Sequence, residues 1–267
     1  MNTLAKQTIW LLSFLVCASS GYGDQNPALR YGVISGRIVL TEAIPALPPL
    51  VPEGAHVKDG AVCAAEGIPN ERLVWSGDTA GVHNVFIYVY KLRRELIHPD
   101  LTEPTSKPAT LSIRGCRYRP HALCVRTGQH LELTNKDSVS HNPNSYSLRN
   151  QGLGSLVTPN STTSVRHQMR EFFPFVMQCD YHPWMSAHIL VLDHPYMTVS
   201  NSDGKFEIPK LPYGTHELRV WHELKGYILR KDIILNTQSL DLGKIPFQLT
   251  LDDKAALGIE QTNDSNH

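Results

Sequence analysis

The stretch "ALCVRTGQHLELTN", Ala122–Asn135, decides the fold. Two strand-like runs flank Gly128, and in the second Leu131 and Leu133 alternate with polar neighbours, the two-residue period of a half-buried strand. The same signature recurs outward in both directions, in "VISGRIVL" (33–40), "NVFIYVYK" (84–91), "TLSIRG" (110–115), "AHILVLD" (187–193), "KFEIPK" (205–210), "HELRVWHE" (216–223) and "KDIIL" (231–235). Gly, Pro, Asn or Asp punctuates most of these runs, and no long segment carries a helical period. Many short strands with turn punctuation bury their apolar faces best as packed sheets, so the expected class is all-β sandwich.

A chain of 267 residues has room for one large domain or two small ones, each with a core. Lysine plus arginine equals aspartate plus glutamate at 25 each, so no bulk charge draws the chain to nucleic acid or an anionic membrane. The first 23 residues hold one lysine, an apolar run from Ile9 to Val16 and a small, polar end at Gly21-Tyr22-Gly23, the pattern of a secretory signal peptide cut near Gly23. That run is too short to span a bilayer, no later stretch qualifies, and Val16 before Cys17 is a poor lipoprotein processing site. Cleavage leaves Cys63, Cys116, Cys124 and Cys179; an exported compartment favours pairing some of them, and four cysteines allow three complete pairings. Export tilts Cys63 and Cys116 toward a disulfide, and Cys124 reads as a free core residue. "IPALPPLVPEG", 44–54, is an extended proline-rich surface segment, and the polar tail after Leu251 is expected to fray.

From Met197 to Glu223 the sequence "MTVSNSDGKFEIPKLPYGTHELRVWHE" reads as a hairpin turned at "NSDG", followed by a return strand after "LPYG". This stretch resembles the carboxypeptidase regulatory-like, transthyretin-type β-sandwich domains, and its starting strands match "ISGRIVL" and "GVHNVFIYVYK" far upstream. The resemblance implies one sandwich split in sequence by an inserted domain, an arrangement that is cheap because chain ends of a compact domain often lie close together; tandem domains are the alternative.

The densest cluster of soft ligands is "MQCDYHPWM", 177–185. Cys179, His182 and Met185 form Cys-x-x-His-x-x-Met between two strand-like runs, and upstream "TGQHLELTNKDSVSHNPNS" ends a strand at Asn135 and delivers His141 to the same sheet edge. Two imidazoles and a thiolate with a weak thioether hold copper in both oxidation states and suit electron transfer. Zinc is the rival, with Asp180 or water as fourth ligand. At these residues, with "YRPHALCVRTGQHLELTNKDSVSHN" before them, the sequence resembles the cupredoxins, the blue-copper fold of plastocyanin, pseudoazurin and amicyanin. The resemblance covers about a third of the chain by the span of those motifs. It implies one type 1 copper held by His141, Cys179 and His182 with Met185 axial, Asn142 fixing the ligand loop, and His182 at the apolar end where electrons enter and leave. Ala187, where many relatives have glycine, and the long insert 143–170 depart from the pattern. The whole chain, from Asp59-x-x-x-Cys63 through "GCRYRPH", "CDYHPWM", "DHPYM" and "WHE", is also similar to exported bacterial proteins described as plastocyanin-like or methylamine-utilisation-like.

The fold expectation is therefore all-β: a cupredoxin Greek-key β-sandwich inserted in or adjacent to a regulatory-like β-sandwich. Its divisions are 1–23 signal peptide, 30–106 first part of the regulatory-like sandwich with the proline-rich segment, 107–194 cupredoxin domain, 195–251 remainder of the sandwich and 252–267 polar tail. His188, His121, His222 and Glu223 are read as structural, the last two because strand neighbours face opposite ways. No serine, cysteine or carboxylate catalytic set is evident, so the expected function is a periplasmic or otherwise exported, non-enzymatic and monomeric copper protein passing single electrons to an unidentified redox protein. A structural, partner-binding envelope protein with a vestigial or copper-storage site is the alternative.

Overall fold

The computed structural model describes residues 29–259, so the expected leader over 1–23 and the last residues of the tail lie outside it. In chain order it holds β1 (Tyr31–Leu40), α1 (Gly60–Cys63), β2 (Phe86–Val89), β3 (Ala109–Ile113), β4 (Tyr118–Arg119), β5 (Ala122–Arg126), β6 (His130–Asn135), β7 (Pro143–Ser145), β8 (Thr162–Arg166), β9 (Phe175–Cys179), β10 (Ser186–Leu192), β11 (Met197–Val199), β12 (Lys205–Pro212), β13 (Gly214–His222), β14 (Gly226–Leu235), β15 (Ser239–Phe247) and α2 (Leu251–Ala256). The all-β class holds. Four sheets form, with strand orders β12-β1-β15, β11-β2-β13-β14, β5-β10-β9-β7 and β4-β3-β6-β8.

The first two sheets enclose one apolar core, in which Ile34, Ile38, Val85, Ile87, Leu218, Val220 and Phe247 are buried together. The other two enclose a second, built on Leu111, Ile113, Leu131, Leu133, Met177, Ile189 and Val191. Between Ala109 and Leu192 the chain passes repeatedly from one sheet of the second pair to the other, so β3 lies parallel to β6 and β5 parallel to β10. Crossing strands of this kind bring loops from both sheets to a common edge.

The sequence of β10 shows where the two cores meet. Ala187, Ile189 and Val191 point into the second core, while Leu190 and Leu192 join Phe86, Tyr88 and Ala122 in a smaller cluster with Trp221 against it. A strand covered on both faces needs an unbroken apolar run, which is what "ILVL" supplies. β2 is its counterpart: Ile87 and Val89 face the first core, Phe86 and Tyr88 the junction.

Three expectations need correction or refinement. Met197–Pro212 is not a hairpin, because β11 pairs with β2 in one sheet and β12 pairs with β1 in the other. The "NSDG" turn reverses the chain but leaves the choice of partner to burial, and Gly204, at φ +75, passes so close to the Ile38 carbonyl that a Cβ would collide with it. The tail does not fray at its start: Thr250 and Asp253 form a reciprocal capping box on α2, and Leu257 is buried in the first core. Finally, Val51, Cys63, Ala64 and Ile68, grouped by sequence with 30–106, pack in the second core. They are held there by a disulfide from Cys63 to Cys116, with Cα atoms 5.1 Å apart.

Candidate metal centre

Three segments remote in sequence meet at one edge of the second core. The turn after β6 carries His141, which is fixed by backbone hydrogen bonds in both directions with Val157, at 3.1 and 2.8 Å. β9 ends at Cys179, and the tight loop to β10 carries His182 and Met185. That loop is closed by hydrogen bonds from the Met185 N–H to the His182 carbonyl (2.9 Å) and from the Cys179 N–H to the Met185 carbonyl (3.3 Å). The loop carrying His141 and the loop carrying His182 are tied together by the Asp180 N–H donating to the Asn142 carbonyl (3.0 Å) and the Asn142 amide donating to the Asp180 carboxylate (2.9 Å).

The result is convergent. Nδ1 of His141 lies 3.1 Å from Nδ1 of His182, which in turn lies 3.6 Å from Sγ of Cys179. Both imidazoles are fully buried, and Met185 is buried in the same core cluster as Cys179. Each histidine turns its other nitrogen to a carboxylate: Nε2 of His141 to Asp137 at 3.1 Å, and Nε2 of His182 to Asp59 at 3.0 Å. An imidazole that donates from Nε2 presents a lone pair at Nδ1, so both rings are set to offer Nδ1 to the same point.

The carboxylates are themselves held. Asp137 accepts from the N–H groups of Gly115 (2.6 Å) and Cys116 (2.8 Å), and its own N–H donates to the Asn135 side chain (2.9 Å). Burial pushes its carboxyl up, but His141 and these N–H groups outweigh burial and hold it below the usual range. Burial likewise pushes His141 down, and Asp137 and Cys179 bring its net pKa up. At Cys179, burial raises the thiol, whereas His141, His182 and the backbone N–H groups of Asn142 and Tyr181 lower it to about 6. A thiolate is the metal-binding form.

Sequence reasoning missed Asp59 and Asp137 and read His182 as lying at the apolar end of the centre. His182 is fully buried under the segment around α1, where Asp59 caps its ring and Lys58 lies over Tyr181, 3.8 Å from the ring centroid. The Cys63–Cys116 disulfide pins that cover, and its sulfurs approach within 4.8 Å of a His182 nitrogen. Asp137 could have been found from its place at i−4 to His141, but Asp59 lies 123 residues from His182 and gives no local signal. His121, His188 and Glu223 lie outside this centre and form a separate cluster.

The donor set fits a soft or borderline transition metal: two imidazoles and a cysteine whose pKa is lowered. No protein-family model matches the chain, and no curated protein matches it. Among solved structures, part of the chain is similar to a copper-containing nitrite reductase from Thermus scotoductus SA-01, at 19% identity over 33% of this chain and 23% of that chain, TM-score 0.29. The match thus spans less than a quarter of that reductase's length. A purple cupredoxin from Nitrosopumilus maritimus is similar at 20% identity over 31% of this chain and 98% of that chain, TM-score 0.27. Amicyanin from Paracoccus versutus is similar at 14% identity over 39% of this chain and 96% of that chain, TM-score 0.28.

Proposed function

We propose that this is an exported type 1 copper protein that transfers single electrons between redox partners and turns over no substrate. His141, Cys179 and His182 would hold the metal, with Met185 as a weak axial ligand. The observation that carries the reading is the convergence of two Nδ1 atoms and one Sγ, with each Nε2 anchored to a carboxylate. Bound copper supplies a one-electron couple at such a site.

The chain's own part is to keep the donors still. Asp137 and Asp59 fix the two rings, Asn142 locks one ligand loop to the other, and burial removes water from the imidazoles. A donor set that cannot relax favours electron transfer, because little has to rearrange when charge changes. The partner is an unidentified redox protein, and the chain acts as a monomer. We read residues 107–194 as a cupredoxin domain inserted into a regulatory-like sandwich made by 30–106 and 195–251, with 51–68 crossing over as the cover of the metal centre. The two separate apolar cores support that division.

An optical and EPR spectrum of the Cu(II)-loaded mature protein, beside a Cys179→Ser variant, tests the function. An intense visible thiolate-to-copper band that the variant lacks is expected. A colourless wild type showing only weak surface-type copper would sink the reading and favour an envelope scaffold or copper store.

A further inference from the structure

A second cluster of metal-ligating side chains sits where the two sandwiches meet. His121 immediately precedes β5, His188 lies on β10, and Glu223 follows the last residue of β13. The His188 N–H donates to the His121 carbonyl at 2.8 Å, which ties the residue before β5 to the adjacent, parallel β10. Their rings are 5.9 Å apart at the centroids, and both turn toward one carboxylate. Oε1 of Glu223 is in short contact with Nε2 of His121 and 3.8 Å from Nδ1 of His188. Ligand atoms of all three residues fall within 4.8 Å of one another.

We propose that His121, His188 and Glu223 form a second metal site, separate from the cysteine centre, for a borderline first-row divalent cation such as zinc or iron(II). Two imidazoles and one carboxylate are a recurrent donor set for these ions. Metal–donor bonds of about 2.0–2.2 Å at tetrahedral angles place donors about 3.3–3.6 Å apart. The His188–Glu223 separation is already within a few tenths of that, and the His121–Glu223 contact opens once a cation replaces the shared proton.

Hydrogen bonding explains the cluster poorly without a cation. Nδ1 of His188 is buried and has no hydrogen-bond partner, although a carboxylate oxygen faces it at 3.8 Å. A buried polar atom left in this state destabilises the fold unless something else engages it. Burial also pushes the His188 imidazole down to about 4, so near neutrality its lone pair is free for a metal. His222 does not complete the set: its ring packs on Phe247 in the first core, 4.9 Å between centroids. The remaining coordination position can be filled by water, because His121 also lines a cavity of about 410 Å³ with Glu71, His83 and Asn84.

This site shares no donor with the cysteine centre. It stands three residues beyond Met185 along the strand, about 10 Å at the rise of an extended chain. Its existence therefore does not depend on the copper reading.

Cobalt(II) is the probe. Crystals of the mature protein grown with Co(II) should give an anomalous difference peak between His121, His188 and Glu223, and equilibrium dialysis should show one Co(II) fewer bound by His188→Phe than by wild type. Loss of one donor bonded directly to the cation should weaken that Co(II) by at least about a hundredfold, the upper end of the effect of removing a supporting partner. His188→Phe keeps an aromatic ring against Trp221, 5.4 Å away, and removes no hydrogen bond from Nδ1. Matching unfolding midpoints of the metal-free proteins check that it folds. Glu223→Gln should repeat the loss. No peak at the cluster together with equal Co(II) stoichiometry in wild type and His188→Phe overturns the proposal, whatever the cysteine centre does.

Discussion

Asp59→Asn isolates the contribution of the cover to the metal centre. The Asp59 carboxylate accepts from Nε2 of His182 at 3.0 Å, and its side chain is 32% exposed while the imidazole is fully buried. Asparagine keeps the shape and an acceptor oxygen, and it tolerates the left-handed backbone at φ 55 that Asp59 adopts. What changes is the charge. A hydrogen bond to an ionised partner contributes about 1.5–3 kcal/mol and a neutral one about 0.5–1.5 kcal/mol, so the difference is about 1–1.5 kcal/mol, with the lower end favoured by partial exposure. At 1.4 kcal/mol per decade this is a five- to tenfold loss of affinity, roughly the lower edge of the range for partners behind metal-ligating histidines. Competition for Cu(I) against a chromophoric chelator reads the change directly. The expected result is binding weakened by about a factor of five to ten. Affinity within twofold of wild type would show that the cover merely shields His182 and does not set its ring, which would refute the argument.

Removing the disulfide as Cys63→Ala/Cys116→Ala should lower unfolding stability in denaturant by about 4 kcal/mol, the loop-closure value for a bridge spanning 53 residues; a loss under about 1 kcal/mol would mean the unfolded chain is already constrained there. The C-terminal helix should show acid sensitivity. Burial pushes the Asp253 carboxyl up, but Lys225 and the Thr250 cap outweigh it and hold the pKa below the ordinary carboxylate value. A pKa depressed on folding contributes stability that is present above the unfolded pKa, about 4, and lost as pH falls through the folded value. The melting-temperature gap between wild type and Asp253→Asn should therefore be widest near neutral pH and close as pH falls below 4; a gap constant with pH would assign the effect to shape alone.

The strand content and the Cys-x-x-His-x-x-Met grouping were legible because their signals are local. "HLELTN" alternates, "ILVL" does not, and Cys-x-x-His-x-x-Met lies within one loop, so period and spacing carry the information. Sheet membership was less legible. "NSDG" specifies a reversal, yet whether β11 and β12 pair with each other or with β2 and β1 depends on apolar faces from strands more than a hundred residues upstream. The capped start of α2 was hidden for a similar reason, since Thr250 and Asp253 look like tail polarity until Leu257 is seen to need burial.

The parts of the centre that sequence did not reveal are those that decide its behaviour. Asp59 lies four residues before Cys63, which is bonded to Cys116, and Cys116 in turn donates its N–H to Asp137, the carboxylate behind His141. One covalent bridge therefore links the supports of both imidazoles, and of the two only Asp137, four residues before His141, stands where spacing could have pointed to it. His182 is fully buried, and the residues exposed beside it are Lys58 and Tyr181, with the Lys58 ammonium resting on the Tyr181 ring, so the imidazole edge presents no open surface at that end.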